Sequence, residues 1–465
     1  MLRTARSTCL CYNPVLVARP TLIMRRRQRN QMAPRRPVAV RLTALAFLLA
    51  LLASCAGSRT PAGAADPTPA AVAGPVTLVL WHGWYGAERQ ALGHLAERFN
   101  RLHPSGRVSL VSVPLAGFPG ELRSAIASGG GPHLALIPNT WVGDLAEQGA
   151  LLPIDGLVTD DERRALLPVA LGGAQVTDRT GATGLYGLPI TFDTLALYYN
   201  TANLSAPPAD TDTLFRSARG LGDPGADPPV WGMALNLSLD NTLGYLYAFG
   251  GRVFDQDGRL ALAGDGRSGA ERWLAWLQAL NADQRILARA DSSIRVDREL
   301  QDGRALMTFD WAHQVGVYRS LWGKSMGVAP LPRLSETGQP PSAYVRSDVL
   351  AINSRAGAAE RRAALEFMRF MVSEEAQREL LLSDRQPALA SLPLDGDDQR
   401  LASARAFRAQ AEAGLPMPNS AARGLVEQEL KVMQRQVLMG LATPADAVTE
   451  ADRRLHERLP ETSGS

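Results

Sequence analysis

The residue types that could do covalent or metal chemistry are sparse in this chain, and none falls into a reactive pattern. Six histidines (82, 94, 103, 133, 313 and 456) lack metal-ligand spacing and read as packing or surface residues. The sequence has no G-x-S-x-G elbow and no H-E-x-x-H helix. "WGKS" (322–325) has the end of a phosphate-binding loop, but Tyr318 stands where that loop needs its first glycine. "DQDG" (255–258) begins like a calcium loop without the closing Glu, and reads as a hairpin turn. No metal and no cofactor is expected.

The cysteines are Cys9, Cys11 and Cys55. The rest of the chain therefore has neither a disulfide nor a thiolate metal site. Cys55 follows "LTALAFLLALLAS" (42–54), an apolar run too short to span a bilayer and preceded by Arg35, Arg36 and Arg41. "LASC" resembles the bacterial lipoprotein processing box, which implies lipidation of Cys55 behind a signal over residues 1–55. The expected route is general secretion, with Met24 or Met32 as alternative starts. The expected location is the outer face of the cell membrane, at the cell surface or in the periplasm, held by the lipid.

Charge is split by that boundary. The chain has 49 Lys and Arg against 46 Asp and Glu, but ten of the arginines and none of the acids precede Cys55. Without them 39 basic residues face 46 acidic ones, a net of −7. A nucleic-acid partner is not expected of such a surface. Residues 56–75 are small and Pro-rich, as a flexible tether would be. The remaining length asks for two cores rather than one.

Strands are expected at 76–81, 107–113, 133–137, 195–200 and 304–309. Helices alternate with the first three, from 87 to 100, 119 to 128 and 141 to 148. This βαβ rhythm predicts an α/β fold with a parallel sheet covered by helices. Further on, 250–262 reads as a hairpin and 269–281, 297–302, 358–382 and 424–441 as helices. Thr443-Pro444 with Asp446 reads as the cap of a last helix.

In chain order, "LWHGWYGAERQALGHLAERFNRLHP" (80–104), "AIASGGGPHLALIPNTWVGDLAEQGALLPID" (125–155), "YGLPITFDTLALYYN" (186–200), "FDWAHQ" (309–314) and "EFMRFMVSEEAQREL" (366–380) resemble the extracellular solute-binding proteins of bacterial ABC importers, in the maltose and maltodextrin group. The resemblance implies a two-lobed periplasmic-binding-protein fold, hinged around a cleft. It implies lobe one at 76–191 plus 343–390 and lobe two at 192–340 plus 391–465. It also implies a binder rather than an enzyme, delivering a sugar to membrane permease subunits as a monomer.

A sugar needs aromatic platforms for its ring faces and fixed polar groups for its hydroxyl rim. The resemblance places Trp84, Tyr85 and Glu88 on the first strand-to-helix loop, and Asn139, Thr140 and Trp141 after the third strand. Asp193 lies at the crossing between lobes, faced by Asn236, Asp240, Asn241 and Tyr245. Trp311 is a stacking position, and Tyr344 and Arg346 lie on the return to lobe one. Trp273 and Trp276 are expected in the core. Glu427 stands near where the maltodextrin binders place an aromatic, so a smaller sugar is a candidate. Two alternatives keep the sequence but change the role. One is a binder of glycerol phosphate or another anion, using Arg346 and Arg385. The other is a glycoside-acting enzyme using Glu88 and Asp193.

Overall fold

The computed structural model describes residues 75–459 apart from 105, 178–181, 255–258, 290–292 and 421. The signal, Cys55, nearly all of the tether and the "DQDG" turn lie outside the described residues. Beside that turn, Phe254 and Leu260 pair in an antiparallel bridge.

The strands in chain order are β1 (Val76–His82), β2 (Gly106–Ser112), β3 (Leu134–Pro138), β4 (Gln175–Thr177), β5 (Thr183–Leu185), β6 (Leu188–Asp193), β7 (Leu195–Asn200), β8 (Ala234–Asn236), β9 (Leu287–Arg289), β10 (Met307–Trp311), β11 (Met326–Ala329), β12 (Tyr344–Ile352), β13 (Gln386–Pro387) and β14 (Leu415–Pro416). Seven of them form one sheet in the order β13-β6-β12-β3-β1-β2, with β14 beside β12. β1 pairs in parallel with β2 and β3, as the βαβ rhythm predicts. β12 then inserts antiparallel between β3 and β6, which makes the sheet mixed. A second sheet, β10-β7-β11, is antiparallel throughout.

The helix Gly86–Leu102 buries Ala91, Leu92, Leu95, Ala96 and Phe99, the apolar stripe of its sequence. The single long helix expected over 358–382 is two helices, Ala358–Met371 and Glu374–Leu382. Ser373 breaks it by capping the second, its hydroxyl accepting from the Ala376 N–H. Thr443 caps Pro444–Arg458 through the Asp446 N–H, as its sequence implies.

One residue, the buried Thr194, separates β6 in the first sheet from β7 in the second. Along β7, Ala196 and Tyr198 belong to one hydrophobic core, while Leu195, Leu197 and Tyr199 belong to the other. Alternation on a strand covered on both faces thus lets "LALYY" serve two cores. Trp273 is fully buried and Trp276 packs against the second core, which agrees with the sequence expectation. Among the described residues no helix is long and apolar enough to cross a membrane.

Candidate functional site: a charged cleft at the strand ends

β1 and β3 run in parallel and end at one edge of the first sheet, where ligands of open parallel sheets bind. A cavity of about 310 Å³ opens there. Its walls include Pro138, Asn139 and Thr140 at the end of β3, Thr191–Asp193 at the end of β6, and Arg346–Asp348 from β12. Asp240, Arg385, Met417, Arg423 and Glu427 complete the lining. The first half of β12 alternates, with Val345 and Ser347 buried and Arg346 and Asp348 half-exposed toward the cavity. Strand register sets Arg346 beside Asp193.

Every guanidinium group in the lining has a carboxylate partner. Arg385 is paired with Glu88 and lies 3.5 Å from Asp348, whose carboxylate also accepts from the Thr191 hydroxyl at 2.9 Å. Arg346 lies 3.5 Å from Asp240. Arg423 is paired with Glu427, and Lys431 lies 3.8 Å from the same carboxylate. Asp193 accepts from the His313 backbone N–H at 3.1 Å and meets the His313 Nδ1 at 2.9 Å.

Titration follows from this pairing. Burial alone would raise Asp193, but the His313 hydrogen bond and the charges of His313, Arg346 and Arg385 hold it below the usual carboxylate range. Burial would lower His313, and the bond and charge of Asp193 raise it instead. Burial raises Glu88 in spite of Arg385. Among the described residues no group of three or more His, Cys, Asp or Glu could hold a metal ion.

The aromatic groups expected as platforms are nearby but engaged. The Arg346 Cζ sits 3.6 Å from the centroid of the Trp311 ring, and the Arg385 Cζ 5.0 Å from that of Trp84. Trp141 meets Phe118 edge-on at 5.7 Å. The Tyr344 hydroxyl lies 3.3 Å from that of Tyr247. Tyr85 is 75% exposed, outside the cavity lining.

Several polar residues expected to contact ligand are committed to the fold. Asn139 lines the cavity but is fully buried, donating to the Met417 carbonyl at 2.9 Å and accepting from the Ser347 N–H at 3.1 Å. The Asn236 side-chain Oδ1 accepts from the Ser238 N–H at 2.9 Å, closing a local turn away from the cavity lining. Asn241 donates to the Phe309 carbonyl at 3.4 Å. Tyr245 is fully buried and donates to the Pro332 carbonyl at 2.9 Å, so it packs the second core rather than facing Asp193. Asp193, Asp240 and Arg346 do come together, and Glu88 joins them through Arg385. Asp348, Thr191, His313 and Arg423 were not anticipated. A period-two signal was present for one of them: Asp348 is two residues from Arg346 on the same strand.

Two hydrophobic cores and a charged cleft at the strand ends of the first sheet define the architecture. Residues 94–404 match the bacterial extracellular solute-binding proteins, and the chain belongs to that family. It is 28% identical over 316 residues to a maltotriose-binding protein of Pyrococcus abyssi, covering 68% of this chain and 67% of that protein. Among solved structures, a cyclo/maltodextrin-binding protein complexed with maltotetraose superposes with a TM-score of 0.71 at 23% identity, covering 83% of this chain and 98% of the other. The cyclic α-maltosyl-1,6-maltose-binding protein of Arthrobacter globiformis gives 0.70 at 19% identity, over 83% and 99%. At these identities the structural likeness carries the fold.

Proposed function

We propose that this protein is the sugar-capturing component of an ABC importer, taking a maltose-type saccharide into the cleft by hinge closure. The observation that carries this reading is the pairing of Arg346, Arg385 and Arg423 with Asp240, Glu88 and Glu427. A neutral, hydroxyl-rich ligand meets acceptors and donors there without bringing an uncompensated charge. The anion alternative needs free cations, and each cleft guanidinium is already faced by a carboxylate. The relatives named above, which bind maltotriose and maltodextrins, support the sugar class.

The lobes in this reading are 76–191 plus 343–390 and 192–340 plus 391–465, and Asp193, Asp240, Asp348, Arg346 and Arg385 hold the hydroxyl rim. Cys55 carries the lipid, residues 56–75 tether the body to the outer face of the cell membrane, and membrane permease subunits receive the sugar from a monomer. Thermal unfolding against glucose, maltose, maltotriose and sugar phosphates tests the ligand class. At about a thousand times its dissociation constant a ligand adds roughly 4 kcal/mol to the folded state. Stabilisation by neutral saccharides is the expected result. Stabilisation by phosphates alone would establish the anion reading instead.

A further inference from the structure

Resting on the sugar reading, the geometry points to Arg346 as the residue that limits how long a saccharide the cleft accepts. Its guanidinium lines the cavity and lies between it and one face of Trp311, an aromatic surface of the kind on which a sugar ring stacks. The Cζ lies 3.6 Å from the ring centroid, which is direct contact and leaves no room for a sugar between them. The ring is otherwise closed in, with 7% of its surface exposed. The same guanidinium is 3.5 Å from Asp240, so the cover is held from two sides.

The aromatic face nearest the cavity is therefore filled by the chain itself. A ring that stacked there would have to displace Arg346 from both Trp311 and Asp240. It would replace only the aromatic contact and would leave the carboxylate to be satisfied again. Adding rings beyond those that fit among the polar walls then gains little affinity. Glu427, paired with Arg423, stands in the cavity wall where stacking was also expected, which removes a second route to a long chain. The ligand class is accordingly a short saccharide of one or two rings, recognised by its hydroxyls.

Calorimetric titration of the purified protein with glucose, maltose, maltotriose and maltotetraose reads this directly. In the natural chain, affinity is expected to level off by maltose. Arg346→Ala uncovers Trp311, and maltotriose should then bind about three- to tenfold more tightly relative to maltose. Trp311→Ala added to that variant should abolish the gain. Arg346→Lys keeps the charge near Asp240 but cannot lie flat on the ring, and should shift the preference in the same direction. It also serves if the alanine variant does not fold. An unchanged ratio in a folded variant overturns the proposal. So does an equal loss for every length, which would leave Arg346 only its place on the hydroxyl rim. If the natural chain binds no saccharide of any length, the sugar reading itself falls and the length limit with it.

Discussion

Asp193 and His313 show how a residue pair can be half legible. Asp193 stands out as a carboxylate at the lobe crossing, whereas its partner lies 120 residues away and only the register of β7 against β10 brings the two together. The pair makes stability depend on pH in two directions. Asp193 is held below its ordinary 3.8, so its contribution is present above that value and is lost as pH falls through the depressed one. His313 is raised above its ordinary 6.5, so its contribution is complete below 6.5 and is lost as pH rises through the raised value. The pair is thus worth most between about pH 4 and 6.5. Melting temperatures of the natural chain and His313→Gln should differ most in that window, and the difference should shrink as pH rises above it. A constant difference across pH 5–9 would contradict the pair's role.

At the scale of elements, the first three strands and their helices were readable because each repeats one hydrophobic period. β6 and β12 were not. β6 carries Pro189, which removes a ladder donor, and the register shifts between Asp348 and Val349 of β12, skipping Ile190 opposite. No local pattern announces an antiparallel strand that returns from 150 residues away. Asn139 ties these elements together by bridging the Met417 carbonyl and the Ser347 N–H. Asn139→Ala leaves both partners buried without a bond. The expected loss is about 1–3 kcal/mol for each orphaned group, measured by urea unfolding. A tighter constraint sits four residues on, at Gly143. A Cβ there would lie 1.9 Å from the Asn419 carbonyl oxygen, which itself belongs to a segment pinned by Asn419 bonds to the Gly173 and Gln175 carbonyls. Gly143→Ala should therefore displace that segment and lower the melting temperature, even though alanine favours the helix Val142–Glu147 intrinsically. A rise in melting temperature would mean that helix propensity outweighs the clash.

For the whole molecule, the decisive feature is which links run between the two cores at the cleft. The backbone passes from β6 to β7 at Thr194, whose hydroxyl donates to the Tyr344 carbonyl at 3.4 Å. Across the cleft, Arg346 reaches Asp240 and Trp311, and Asp193 reaches His313. The side chains of Arg346 and Asp240 are each about one-third exposed, so that ion pair is worth only about 0.2–1 kcal/mol. A ligand that contacts both walls can outweigh it, because only its differential affinity for the closed arrangement shifts the balance. Asp240→Asn should therefore raise the open fraction no more than several-fold in the absence of sugar, and a saturating sugar should restore closure. Electron-spin distance measurement between labels at Arg101→Cys and Gln284→Cys, with the three native cysteines replaced by serine, checks this. The expected result is a broader, longer distribution in Asp240→Asn that narrows and shortens when maltose is added. An unchanged distance in the labelled protein that keeps Asp240, on saturating with a sugar that binds, would mean that capture occurs without hinge closure, and that the cleft works as a preformed pocket.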